Sequence, residues 1–197
     1  MENSRNGIVI GVVSSLKDDE NLGRVRVRYP LLEDEESEMA RVATLMAGNG
    51  RGSVFLPDPG DEVLIAFEHN DSRRPYIVGS LWSTVDRPPE GDGDQEANNR
   101  RFFVSRSGAE IGFDDKNNAE KVTIVDKDGD HRITIDSAAK LIEVFSQTGS
   151  VTVSAKSGSV TVEATTVNVK ATGAMNLEAG GAMTIKGSSV AINPPGP

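Results

Sequence analysis

The chain has no cysteine, so neither a disulfide framework nor a thiolate metal site is open to it, which suits assembly in a reducing compartment. Histidine is nearly absent, with only His69 and His131. Nucleophilic catalysis needs a base beside a serine, threonine or cysteine, and these two histidines fall in predicted turns of different halves. Aromatics make up 5% of the residues and none follows Phe145, which excludes a large aromatic core. No apolar run approaches the ~18 residues of a membrane span. The opening Met1-Glu2-Asn3-Ser4-Arg5-Asn6 lacks the basic-then-apolar pattern of a secretion signal. A soluble protein made in the cytoplasm is expected. Basic excess is missing too: the formal net charge is -9. Residues 1–97 carry 10 Lys/Arg against 19 Asp/Glu, whereas residues 98–197 carry 11 of each. Such asymmetry points to two structural units, and the acidic first half argues against a phosphate-backbone footprint.

What the 197 residues do contain is alternation. In the first half, apolar residues two apart mark strands at Gly7–Ser14, Arg24–Tyr29, Met39–Leu45, Glu62–Phe67 and Pro75–Leu81. Between them lie turn formers, the acidic run Glu33–Glu38, the glycines Gly48, Gly50 and Gly52, and Pro59-Gly60-Asp61, a turn that launches the strand at Glu62. No 3.6-residue period is sustained. Five short strands in about 80 residues predict a five-stranded OB-fold barrel over residues 1–85. Trp82, the sole tryptophan, is expected to plug its end. Arg24, Arg26 and Arg28 alternate with Val25 and Val27 and so share an outer face. That face suits either nucleic acid or a docked protein, and the acidic balance with no stacking aromatics favours the protein. Residues 86–99, with Pro88-Pro89, two glycines and many acids, read as a linker.

From Val122 onward the alternation becomes a repeat. The pairs Val122/Ile124, Ile133/Ile135, Ile142/Val144, Val151/Val153, Val160/Val162, Val167/Val169, Met175/Leu177, Met183/Ile185 and Val190/Ile192 begin 11, 9, 9, 9, 7, 8, 8 and 7 residues apart. Each pair is a short strand with one apolar side, and their even spacing makes them stacked rungs. Gly149, Gly158, Gly173 and Gly181 each precede a pair by two residues, where a sharp corner would take a positive φ; Thr165 stands at the corner before Val167. Asp128-Gly129 marks a hairpin between the first two rungs. A single flat stripe cannot enclose its own core, whereas three chains around one axis can. The second half, residues 100–197, is therefore expected to be a triple-stranded β-helix of three intertwined chains, with these eighteen side chains on the axis. Glu163, Lys170, Glu178 and Lys186 follow inward pairs and alternate in sign, which either attracts stacked rungs or serves solubility.

Five words carry a family likeness in the first half. They are Leu22–Pro30, Ala40-Arg41-Val42, Phe55–Leu64, Phe67, and Arg74–Trp82, in that order. The set resembles the OB domain of phage baseplate assembly protein V and of the valine-glycine repeat (VgrG) spike proteins of type VI secretion. Asn99-Arg100-Arg101, Ser105–Gly108, Phe113-Asp114-Asp115 and Asp128–Asp136, followed by Gly-Ser-Val-Thr-Val repeats, resemble that family's β-helix. The resemblance implies a structural, non-enzymatic central spike in a phage virion or tail-like injection particle. It would be assembled in the cytoplasm, join a hub to a tip, and touch the target membrane only transiently.

Family spikes with a hub module carry it before the barrel. Here the barrel begins by residue 7, so a separate hub protein is expected, docked near Arg24, Arg26 and Arg28. Some family spikes end in a His-x-His metal apex; no histidine follows His131, so no metal and no cofactor is expected. The ladder instead stops at Ile192-Asn193-Pro194-Pro195, since proline cannot donate to it. Blunt ends of this kind imply a separate PAAR-repeat tip protein bound there. Three rivals stand beside this reading: a spike that hydrolyses peptidoglycan, a nucleic-acid-binding OB protein, and a receptor-binding fibre of the same fold.

Overall fold

The computed structural model describes residues 7–31, 35–91 and 96–192. They divide into two compact units, the first ending at Thr148 and the second starting at Gly149.

The first unit opens with a barrel. Its strands are β1 (Ile8–Ser15), β2 (Arg24–Tyr29), β3 (Glu35–Glu36), β4 (Ala40–Val42), β7 (Glu62–Phe67) and β8 (Pro75–Ser80), with a small hairpin of β5 (Ala47–Gly48) and β6 (Arg51–Gly52) standing off it. The hydrogen-bonded order is β1-β7-β8-β4-β2, and β1 pairs with β2 again, so five strands close on themselves while β3 extends β2. All contacts around the ring are antiparallel except β4 with β8, where Arg41 faces Tyr76 and Val42 faces Ile77 in parallel register. This is the five-stranded barrel that the alternation predicts.

Closure follows from the period of two. Along β2, Val25, Val27 and Tyr29 are buried while the arginines between them are not. Val63, Ile65 and Phe67 do the same on β7. With Val13, Ala40 and Ile77 they form one core. Gly11 lets β1 approach closely: a Cβ there would stand 2.5 Å from Ile65 Cδ1 and 3.1 Å from the Arg28 carbonyl oxygen. The Pro59-Gly60-Asp61 turn is pinned to β1, Gly60 N–H donating to the Val13 carbonyl and Val13 N–H to that of Asp61, both at 2.9 Å. Trp82 is not a plug. It is 67% exposed, because β8 ends at Ser80 and the tryptophan lies past the barrel.

Still in the first unit, β9 (Arg100–Val104), β10 (Glu110–Asp114), β11 (Lys121–Val125), β12 (His131–Asp136) and β13 (Leu141–Ser146) form an antiparallel meander. Gly129, at φ 77°, makes the Asp128-Gly129 hairpin that the sequence marks between β11 and β12. His131 opens β12 rather than lying in the turn.

In the second unit, no described residue from 149 to 192 enters a strand ladder. The chain runs extended, with bends at 156–158, 165, 172–173, 180–181 and 188, each between two of the predicted apolar pairs. The eight-residue cadence is therefore present in the backbone. One expectation is corrected here. Gly149 has φ 81°, but Gly158, Gly173 and Gly181 are absent from the positive-φ positions. Bends this open do not require left-handed backbone, and a Cβ at any of these three glycines would meet nothing within 4 Å. The twelve apolar side chains of this unit form no core within one chain, as a single flat stripe requires. Val151, Val153, Val160, Val162, Val167, Val169, Met175, Leu177, Met183, Ile185, Val190 and Ile192 are all exposed. The physical reason is the missing ladder: an extended strand with no neighbour beside or across it has nothing to cover either of its faces.

Candidate functional site

The meander sheet is two-faced, and the faces are the wrong way round for a sheet that stands alone. Direct cross-strand partners place Phe103, Ile111, Ile124, Ile133 and Val144 in one row. Phe113, Val122, Ile135 and Ile142 form a second row on the same face. Along β12 the apolar Ile133 and Ile135 are exposed, while Arg132, Thr134 and Asp136 are half-buried. The same inversion holds on β10, where Ile111 and Phe113 are exposed between more buried Glu110, Gly112 and Asp114.

The polar face is satisfied within the chain. Arg100 pairs with Glu110, Lys121 with Asp136 at 3.0 Å, and Arg132 with Glu143 at 2.9 Å. Arg132 also lies 3.9 Å above the Phe145 ring, and Arg100 4.6 Å above that of Phe102. Asp136 is held below the usual carboxylate range, first by the backbone N–H of Ala139 and then by Lys121. Among the described residues the apolar face has no such cover.

Six of the eighteen predicted axis residues, Val122, Ile124, Ile133, Ile135, Ile142 and Val144, thus share one face. Phe103, Ile111 and Phe113 belong to it as well, so the stripe starts earlier than Val122, and Ile111/Phe113 has the same two-residue spacing. The other twelve belong to the second unit, and there the two members of a pair differ. Val153, Val162, Val169, Leu177, Ile185 and Ile192 are each more exposed than Val151, Val160, Val167, Met175, Met183 and Val190, the first members of their pairs. One chain therefore leaves the second residue of every pair the barest. Of the expected tip-binding residues, Ile192 is exposed, and Asn193, Pro194 and Pro195 lie outside the described residues.

On the barrel, Arg24, Arg26 and Arg28 alternate outward as expected, but two of them already have work inside the chain. Arg24 Nη2 meets Asp18 at 2.6 Å and Glu20 at 3.2 Å. Asp18 also accepts the N–H groups of Leu22 and Arg24. The Arg24 guanidinium, chiefly, holds the Asp18 carboxyl far below the usual carboxylate range. Arg26 donates to the Ser37 carbonyl at 3.0 Å, and Arg28 is exposed. The pairing with Asp18, six residues upstream across a turn, carries no periodic signal.

A cleft of about 700 Å³ lies between the β5–β6 hairpin and the barrel wall, lined by Leu22, Arg41, Val42, Phe55, Leu56 and Tyr76 among others. Its hydroxyls, Thr44 and Ser53, bond each other and the backbone. Among the described residues, no three or more His, Asp or Glu are grouped to hold a metal ion. No helix there is long and apolar enough to cross a membrane.

His131 sits in a network. Its Nδ1 lies 2.8 Å from Asp126 Oδ2, and its Nε2 lies 2.9 Å from the Thr148 carbonyl. Both partners accept only, so satisfying both takes two N–H groups, which is the imidazolium. This arrangement turns the ring away from the role of a nucleophile's base. The Asp126 carboxylate and then the Thr148 carbonyl raise the His131 pKa, and His131 lowers that of Asp126. A raised histidine stabilises fully below its ordinary value and loses that contribution as pH rises through the raised one. A depressed carboxylate stabilises above its ordinary value and loses that contribution as pH falls. The clasp is therefore tightest between roughly pH 4 and pH 6.5. An NMR titration should find the His131 midpoint above the ordinary histidine value, and Asp126→Asn should bring it down.

Residues 9–82 match the family model described as the type VI secretion system/phage-baseplate injector OB domain. The type VI secretion system spike protein VgrG3 of Vibrio cholerae is 29% identical over 126 residues, 59% of this chain and 12% of that protein. VgrG4b of Pseudomonas aeruginosa is 26% identical over 148 residues, 70% of this chain and 18% of its own length. VgrG1c of the same organism is 27% identical over 128 residues, 59% of the chain and 18% of the relative. The chain thus spans less than a fifth of these curated relatives. Its closed barrel is similar to the type VI secretion system/phage-baseplate injector OB domain, and the chain is similar to that system's spike proteins.

Proposed function

We propose that the chain is the homotrimeric central spike of a contractile injection machine, a phage tail baseplate or tail-like particle. The observation that carries this reading is the inverted sheet: two apolar rows, exposed save for the half-buried Val122, opposite a face whose charged groups pair within the chain. The run from 149 to 192 repeats the same apolar pairs with no ladder inside one chain. A partner that both covers the pairs and bonds the backbone must rise at the same eight-residue cadence, and another copy of this chain does so. Three copies close a triangular core and form a triple-stranded β-helix over residues 100–197, with residues 86–99 as the linker that joins it to the barrel. In that assembly Val153, Val162, Val169, Leu177 and Ile185, bare in one chain, come to lie on the axis with their pair partners. Full burial of an aliphatic side chain contributes about 1.5–3 kcal/mol, so eighteen per chain suffice once assembled.

The work of such a body is mechanical. The needle pierces the target envelope, touching the membrane in passing. The barrel face bearing Arg24, Arg26 and Arg28 meets a separate hub protein. Ile192, Asn193, Pro194 and Pro195 seat a PAAR-repeat tip protein. No step calls for catalysis, a cofactor or nucleic acid. The particle is put together in the cytoplasm. Light scattering on the purified chain tests the reading: the expected mass is three times 21.0 kDa, and a folded species of 21.0 kDa would sink it.

A further inference from the structure

The β5–β6 hairpin is ordered by its own bonds yet leaves most of its flanking apolar side chains exposed among the described residues. Thr44 Oγ1 donates to the Ser53 carbonyl at 2.6 Å, and Ser53 N–H donates to the Met46 carbonyl at 2.9 Å. Gly52, at φ 151°, could not be another residue: a Cβ would stand 2.5 Å from the Met46 carbonyl oxygen. An arm so specified nonetheless presents Leu45 at 89% exposure, Met46 at 54%, Val54 at 80% and Phe55 at 65%. Preformed apolar groups with no cover mark an interaction surface.

The arm is also aimed. Phe55 stacks on Phe103 with ring centroids 5.7 Å apart and planes 15° from parallel. Phe103 ends the apolar row that runs through Ile111, Ile124 and Ile133 to Val144. Beyond the arm, in the turn that launches β7, Asp58 Oδ2 accepts from Arg106 Nε at 2.9 Å, tying that turn to the one between β9 and β10. The barrel's arm therefore prolongs the uncovered face of the sheet by one aromatic layer, on the same side.

We propose that this arm is an intermolecular clasp, with Leu45, Met46, Val54 and Phe55 packing on a neighbouring copy of the chain at the Phe103 end of the apolar face. The inference rests on the assembled reading above, because whatever covers the row at Ile111 and Phe103 must also meet the ring stacked on it. It adds that the barrels, and not the repeat alone, contribute to association. A charged or hydrated partner would have no use for four apolar tips, whereas a second copy brings an apolar face of its own.

The absence of native cysteine makes the test clean. Leu45→Cys, Val54→Cys and Ile124→Cys are made singly in the full chain, and maleimide labelling is timed in native buffer and in denaturant. Within one chain, Leu45 and Val54 lie open, so in the purified protein only another copy can shield them. The expected result is labelling at least about tenfold slower natively at all three positions. If Leu45→Cys and Val54→Cys label as fast as in denaturant while Ile124→Cys stays slow, the clasp is overturned and the assembled reading stands. Fast labelling at Ile124→Cys overturns that reading and the clasp with it.

Discussion

Ile133→Asp leaves the chain at single-chain mass in light scattering, with the barrel still folded by circular dichroism. Ile133 sits in the middle of the row Phe103–Ile111–Ile124–Ile133–Val144, 43% exposed in one chain. Within one chain the aspartate meets water and costs little. Around a three-fold axis the same change buries three carboxylates side by side. Each would forfeit several kcal/mol of hydration with no cation to meet it, and their mutual repulsion adds to that. The lost isoleucine removes another ~1.5–3 kcal/mol per chain. Thr134→Asp, one residue along and on the opposite face, is the control and keeps the full assembly. Identical masses for both variants, whether both assembled or both single, would contradict the assignment of faces.

The second large effect is confined to the barrel. Ile65 is completely buried, its Cδ1 filling the space that Gly11 leaves open. Ile65→Ala removes three carbons from a core of small domain size, and such truncations cost about 2–5 kcal/mol. That is a large share of the ~5–15 kcal/mol by which a domain is stable. A urea titration should show the barrel transition at a much lower midpoint while the assembled mass in native buffer is retained. Val78→Ala, on the outer surface at 47% exposure, should shift the midpoint within about 0.5 kcal/mol. A loss of mass in Ile65→Ala without denaturant would mean that the two halves are not independent.

The legible residues are those whose burial follows chain periodicity. Val25, Val27 and Tyr29, then Val63, Ile65 and Phe67, alternate cleanly because one side of each strand meets the core. Glu62–Phe67 and Arg24–Tyr29 accordingly form at the very bounds read from the alternation. The β5–β6 hairpin is hard to read because its strands hold almost no apolar residue to alternate. Its one signal is Asn49-Gly50, a dipeptide suited to a two-residue turn, with Gly50 at φ 65°. Trp82 defeats the expectation because bulk alone argues for burial, whereas the strand before it has already ended. The regular aliphatic pairs start at Val122, yet the apolar face starts earlier, since the aromatic Phe103 and Phe113 break the run of aliphatics. Beyond Thr148 the alternation names the pairs but says nothing of what covers them. Val153, Val162, Val169, Leu177 and Ile185 keep the period of two and still lie bare in one chain. Nothing local in the sequence could announce that Arg24 is spoken for by Asp18, or that His131 clasps the Thr148 carbonyl. Those depend on where turns bring distant groups.

The closed ring described for the barrel has a consequence in time. Every ladder in it joins strands of one chain, and β1 meeting both β7 and β2 leaves no open seam in the ring. Its formation is therefore first-order, equally fast in dilute and in crowded solution. The run from 149 to 192 has no such self-sufficiency, and in the proposed spike its completion waits on encounters among copies. Barrels thus finish early, and dilution slows only the last stage of assembly.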